Sequence, residues 1–161
     1  MRRKSFDQME CGIAQSLDIL GDPWTLLIMR EALFGVQTFD GFYRNLDIPK
    51  NTLTDRLNHL VAKDILARDP HPEDGRRLVY SLLPAGEELL TILVALSQWG
   101  NKWVFGDRGA PSFVAERDSR EAVAEVKVTN GAGKKLTLKD VTMIPGPSAS
   151  ERLKAAFAKL G

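Results

Sequence analysis

Two helical stripes separated by only Asp47-Ile48-Pro49 constrain this chain more than any other feature. Phe39, Phe42, Tyr43 and Leu46 recur at i, i+3, i+4 and i+7, and Leu53, Leu57, Leu60 and Val61 at i, i+4, i+7 and i+8. That spacing places apolar side chains on one face of a helix. Thr38 stands ahead of the first stripe as an N-cap. The second helix is expected from about Lys50 to Lys63, and the proline between the two permits only a tight break. Helices this short gain their stability by burying the stripe against other elements, so the flanking sequence must supply a core.

It does so on both sides. Gly12 to Leu20 carries Ile13, Leu17 and Leu20 on one helical face, and Gly21 stops it. Asp22-Pro23 restarts a helix, with Asp as cap and Pro at the first helical position. Trp24, Leu27, Ile28 and Ala32 make this segment apolar enough for a central core helix, ending at Phe34-Gly35-Val36. Beyond Lys63 the period changes. Ile65 to Arg68 and Arg77 to Leu82 read as antiparallel strands, joined by the turn-rich loop Asp69 to Arg76. Pro84 then opens a long helix, Ala85 to about Trp103, whose wide apolar face includes Leu89, Leu93, Leu96, Trp99 and Trp103.

After Phe105 the composition shifts. Gly106 to Pro111 reads as a linker, and Ala122, Ala124, Val126 and Val128 alternate as in a half-buried strand. Asn130 to Gly133 makes a turn and Lys134 to Leu138 returns as a second strand. Past Pro145-Gly146-Pro147, Ser148 and Glu151 resemble a capping box for a last helix with Leu153, Phe157 and Leu160 on its stripe. The expected fold is mainly α (α+β). Residues 1–105 form a helical body with a two-stranded hairpin and a long helix, and residues 106–161 form an extension with a β-hairpin-like ribbon and a short helix.

Charge excludes one easy argument. Lys plus Arg number 22 against 21 Asp plus Glu, a net +1, so nucleic-acid binding must rest on local placement. The basic start, including Arg2, Arg3 and Lys4, is not followed by an apolar signal core, and no apolar run approaches the ~18 residues of a membrane span. A cytoplasmic protein without membrane contact is expected. With one cysteine and two histidines, His59 and His71, there is no nucleophile–base–orienter set and no ligand spacing for a metal. No catalytic residue, cofactor or metal is expected, and the chain is read as no enzyme.

Two short helices with a tight turn can set the second in a major groove, and a hairpin behind it can reach the neighbouring backbone. Opposite its apolar stripe the second helix holds Asn51, Thr52, Asp55, Asn58 and His59, with Thr54 and Arg56 on the flanks. Asn can pair with an adenine edge, Arg with guanine, and the Thr methyl with thymine. Lys50 and the free amides at the helix start can hold a phosphate. An ordinary solvated face is the competing reading, although such faces usually carry more Glu and Lys. In the loop, Gly75 allows a sharp tip from which Arg76 and Arg77 would reach a minor groove or phosphate. An Asp-Gly turn with two surface arginines is the plain alternative.

Four segments in order carry a family resemblance. Gly21-Asp22-Pro23-Trp24-Thr25-Leu26-Leu27-Ile28-Met29-Arg30 resembles the "G-x-W-T-L-L-I-L-R" signature of HxlR-type transcriptional regulators. Thr38 to Phe42 is similar to their "R-F-x-E-L", Ile48 to Leu57 to their recognition-helix segment, and Tyr80 to Gly86 with Trp99 to "Y-x-L-T-x-x-G" and its downstream tryptophan. The resemblance spans about Cys11 to Trp103. It implies a winged helix-turn-helix, MarR-like homodimer joined through the N-terminal and long C-terminal helices. Two-fold symmetry would then read a pseudo-palindromic operator in double-stranded DNA, and repression is the commoner outcome for a small dimer without an activation surface. Leu83 replaces the family's capping Thr, and Gly41 should soften the first helix of the motif.

Cys11 falls where many such relatives carry a cysteine, some of which sense oxidants, so it is a redox-sensing candidate; a small buried residue under the dimer helices is the competing reading. A redox effector is open to it, as is a small-molecule effector held between the dimer helices and the winged domain. The tail resembles an extension that in some relatives carries a cysteine ribbon, "V-C-x-x-C-G". Here Thr129 and Ala132 occupy the cysteine positions, which implies a metal-free ribbon. The alternative function is a winged-helix protein-interaction module without specific DNA binding.

Overall fold

A computed structural model describes residues 5–159. Arg2, Arg3 and Lys4 of the basic start, and Leu160 of the last stripe, lie outside the described residues. Among the described residues seven α-helices and one hairpin follow in order: α1 Gly12–Leu20, α2 Pro23–Leu33, α3 Phe39–Leu46, α4 Lys50–Ala62, β1 Leu66–Pro70, β2 Leu78–Leu82, α5 Pro84–Glu87, α6 Leu89–Gly100 and α7 Glu151–Phe157. The chain is thus mainly helical with a small two-stranded antiparallel sheet, in which Leu66 faces Leu82 and Pro70 faces Leu78.

The helix starts follow the caps. The Asp22 carboxylate accepts from the Trp24 amide at 3.0 Å, and the Thr38 hydroxyl accepts from the Gly41 amide at 3.2 Å. Between α3 and α4 the chain turns through Asp47 in the left-handed region, φ 49°, and Ile48 drops into the core. Ile28, Met29, Phe42, Ile48, Leu53, Leu57, Leu60 and Leu66 are all but sealed from solvent. Each such side chain contributes roughly 1.5–3 kcal/mol by leaving water. Helix α2 is the hub, packed against α1, α3, α4, α6 and β2. Phe42 meets Tyr80 edge to face, with ring centroids 6.2 Å apart, which ties α3 to the hairpin. The Tyr80 amide also donates to the Gln37 carbonyl at 2.7 Å, and Thr38 bridges Val79, so the lead-in to α3 adds a short third rung to the sheet.

Gly86 has a positional reason. A Cβ there would sit 2.4 Å from the Ile65 carbonyl oxygen, so only glycine lets the start of α5 lie against the lead-in to β1. The long helix expected from Ala85 to Trp103 is interrupted. It pauses at Glu88 and widens to a π-helical turn over Asn101–Phe105. Its N-cap, Leu83, supplies no side-chain hydrogen bond, and Gly86 in its first turn lowers helix propensity.

The stripe of α1 is split: Leu20 packs against the core, whereas Ile13 is 70% and Leu17 44% exposed. The segment before α1 folds back on it, the Phe6 amide donating to both Asp18 carboxylate oxygens at 2.8 and 3.0 Å.

The extension is held differently. The Gln98 side chain of α6 donates to the Ala124 carbonyl at 2.9 Å and accepts from the Val126 amide at 2.8 Å, as a neighbouring strand would. Asn101 donates to the Ser112 carbonyl at 2.8 Å. The alternating stretch is extended backbone with isolated bridges, Ala115 to Ala122 and Thr129 to Lys135, in place of regular strands. Helix α7 is capped by Ser150, whose hydroxyl accepts from Leu153 at 3.2 Å. Ser148 does not cap it, because the turn closed by the Ala149 amide on the Gly146 carbonyl at 3.1 Å takes it up. The Ser150 amide donates to Glu10 Oε2 at 2.9 Å, tying the last helix to the N-terminal segment. Among the described residues no helix is long and apolar enough to cross a membrane.

Candidate nucleic-acid interface

Helix α4 turns Leu53, Leu57 and Leu60 into the core, and its period then fixes what faces out. Asn51, Asp55 and Asn58 lie opposite the buried stripe and are exposed. Lys50 is exposed at the helix start, its ammonium 5.1 Å from the centre of the Tyr43 ring. Pro49 precedes it as N-cap with no side-chain hydrogen bond, so the first amides of α4 keep free donors. Thr54 is exposed but spends its hydroxyl proton on the Lys50 carbonyl at 2.9 Å. Thr52 and His59 are half-buried on the flanks.

Arg56 is set apart from this group. Its guanidinium reaches back to the α2 cap, Nη1 lying 3.7 Å from Asp22 Oδ2, and the side chain is only 28% exposed. Its Nε is buried without a hydrogen-bond partner.

The wing carries its cations differently. The Arg76 side chain is 94% exposed, with a 3.4 Å contact to Asp74. Arg77 is exposed, and its backbone is fixed on both sides: its amide donates to Asp74 at 2.9 Å and its carbonyl accepts from His71 at 2.9 Å. Both arginines border a crevice of about 250 Å³ against Thr38, Phe39 and Asp40 at the start of α3.

Arg68 of β1 carries no local sequence signal that marks it as part of this surface. It is exposed, and its Nη1 donates to Asn58 Oδ1 at 2.8 Å. The contact depends on how the hairpin registers beside α4, which a strand pattern alone does not encode.

Cys11 is half-buried as the N-cap residue of α1. It borders a polar groove of about 630 Å³ shared with Glu10, Gln15 and, from the extension, Ser148 and Leu153. Among the described residues no three His, Cys, Asp or Glu side chains are grouped to share a metal ion.

Comparison with known proteins adds to this geometry. A family model described as HxlR-like helix-turn-helix matches residues 19–107. Over 141 residues the chain is 36% identical to Rv3095 of Mycobacterium tuberculosis, an uncharacterized HTH-type transcriptional regulator, with 88% of this chain and 89% of the relative covered. A Synechocystis regulator of the same description is 33% identical over 95 residues, covering 58% of this chain and 70% of its own. Among solved structures, PA1607, described as a candidate transcription factor, superposes with a TM-score of 0.82 at 34% identity, covering 88% of this chain and 99% of its own. The redox regulator HypR in its reduced form superposes with a TM-score of 0.52 at 26% identity, covering 59% and 97% respectively. These relatives are described as regulators of transcription, not as enzymes.

Proposed function

The chain belongs to the HxlR-like helix-turn-helix family of transcriptional regulators, and on that premise we propose that it is a sequence-specific DNA-binding repressor acting as a homodimer on a pseudo-palindromic operator. The observation that carries this reading is the outer face of α4. It presents Asn51, Asp55 and Asn58 to solvent and is joined to the wing hairpin through Arg68. On this reading helix and wing meet DNA together, with Lys50, Arg76 and Arg77 as the phosphate contacts.

The dimer reading rests on apolar surface left in water. On α6 and the turn after it, Ile92 is 51%, Leu96 49%, Trp99 58% and Trp103 66% exposed. With Ile13 of α1, 70% exposed, they are large apolar side chains of the kind that mark an interaction surface when grouped. A second copy supplies the matching surface by two-fold symmetry. Its two α4 helices would then read half-sites ~10 base pairs apart, or a multiple of that.

The experiment is a mobility shift on the protein's own upstream DNA at two salt concentrations. Binding should fall steeply with salt as phosphate contacts release counterions. Arg76→Ala should weaken binding broadly, and Asn51→Ala should relax base preference. Unchanged binding by both variants would remove this docking geometry. Absence of any salt-sensitive shift would favour a protein-interaction module instead.

Cys11 is the proposed oxidant-sensing residue, because it is half-exposed at the start of α1; HypR, a redox regulator, has been solved in reduced and oxidized forms. Oxidant should release DNA from the wild type and leave Cys11→Ser bound. Release that persists in Cys11→Ser assigns sensing elsewhere.

A further inference from the structure

We infer that Arg68 is a positioning residue for base reading: it holds the Asn58 amide so that Asn58 meets DNA as a hydrogen-bond donor. The inference rests on α4 being the reading helix, as proposed above. Asn58 lies on the outer face of α4, one turn beyond Asp55 and two beyond Asn51. Arg68 reaches it from β1, with Nη1 2.8 Å from Oδ1.

The chemistry of the pair fixes the orientation. A guanidinium carries donors and no acceptor, so the amide must turn its oxygen, not its nitrogen, toward Arg68. The Asn58 NH2 then points away with both hydrogens, and no described residue accepts from it. The bond to a charged donor is stronger than a neutral one, and it polarises the amide so that its N–H groups donate better.

A donor at this place selects among base edges. Guanine O6 and N7, adenine N7 and thymine O4 accept in the major groove; adenine also donates from its N6 amine beside N7, and cytosine alone offers only a donor, its N4 amine. A held Asn58 therefore disfavours cytosine, since two donors would face each other. A free asparagine turns its amide over and accepts from cytosine instead. Arg68 thus converts a side chain that could read either polarity into one that reads acceptors.

The test uses the full-length protein and randomised duplex DNA selected on the wild type, followed by affinities for every single-base variant of the selected site. Asn58→Ala should flatten preference at one base-pair position, which identifies where Asn58 reads. At that position Arg68→Ala should lose roughly three- to tenfold of the discrimination against cytosine, while other positions keep theirs. Arg68→Lys, which restores a cationic donor, should recover part of it. Asn58→Asp, which keeps the partner for Arg68 but replaces donor by acceptor, should turn the preference toward cytosine.

A uniform loss of affinity in Arg68→Ala, with the Asn58 position unchanged, would make Arg68 a phosphate contact and overturn the positioning role. So would an Asn58→Ala variant that alters no position while Asn51→Ala alters one; the reading helix would then stand and this inference would fall. Failure of the wild type to select any sequence would remove the reading helix itself, and the inference with it.

Discussion

The winged-helix body and the C-terminal extension are built on opposite terms. Up to Val94 the chain folds around a shared core, in which Ile28, Phe42, Leu53, Leu57 and Leu60 come from three helices and are sealed from solvent. From Asn101 to Lys159 no described residue is buried. Val128 is 64%, Leu138 89%, Met143 68% and Ile144 77% exposed. The body is held by apolar burial, which is cooperative and insensitive to any one polar contact. The extension is held by a few hydrogen bonds, from Gln98, Asn101 and Glu10. A segment of that kind has no core with which to fold alone, so what it does depends on the surfaces it touches.

The largest expected effect lies in the body. Leu57→Ala should cost about 2–5 kcal/mol, because it opens a cavity where α4 meets the hub, and should lower the whole unfolding transition in denaturant. Gly86→Ala should cost about 1–3 kcal/mol through a forced backbone shift, since its Cβ would meet the Ile65 carbonyl at 2.4 Å. If either left the transition in place, the body would not be the single cooperative unit described.

Gln98→Ala should behave in the opposite way. It removes two hydrogen bonds to the extension, worth about 0.5–1.5 kcal/mol each. The global transition should stay within about 0.5 kcal/mol of the wild type, as for a surface change. The loss should appear locally, as faster hydrogen exchange at the Val126 amide and earlier proteolytic cutting after Phe105. A global destabilisation comparable to that of Leu57→Ala would erase the distinction between the two regions.

The same contrast decides what was legible in the sequence. In the body, stripes and caps are local signals, and they placed α1 to α4 and the hairpin. Asp22 and Thr38 cap as their residue types require. What a stripe cannot tell is what covers it: Ile13 and Leu17 recur at helical spacing yet face outward. In the extension, alternation predicts strands, but a strand needs a partner along its length, and only isolated bridges form. Ser148 and Ser150 both sit ahead of Glu151, and the turn over Gly146 to Ala149 chose Ser150. At the candidate interface the outward face of α4 could be read from its period, whereas Arg56 turned back to Asp22 and Arg68 turned in to Asn58. Those contacts join elements distant in sequence, and no local pattern encodes them.

The smallest expected effect is the most selective. Glu10 has its carboxyl held below the ordinary carboxylate range, first by the Ser150 backbone amide, then by the Ser150 hydroxyl, with Arg152 adding attraction. A depressed value means that folding favours the ionised form. Its contribution is therefore full above the ordinary glutamate range and is lost as pH falls through the lowered value. The prediction is a loosening of α7 from the N-terminal segment on acidification, while the body stays folded. The Ser150 amide resonance, followed by NMR, should report it as a shift with a midpoint below that of a free glutamate. Glu10→Gln keeps an acceptor oxygen but cannot titrate, so its Ser150 resonance should stay flat over the same range. Asp140 gives an internal control. It is also held low, by the Thr137 hydroxyl and then its amide, but that capping box is closed within three residues and should titrate identically in both proteins. If Ser150 still titrated in Glu10→Gln, the tie between the chain's two ends would run through another group, and the extension would be anchored only along α6.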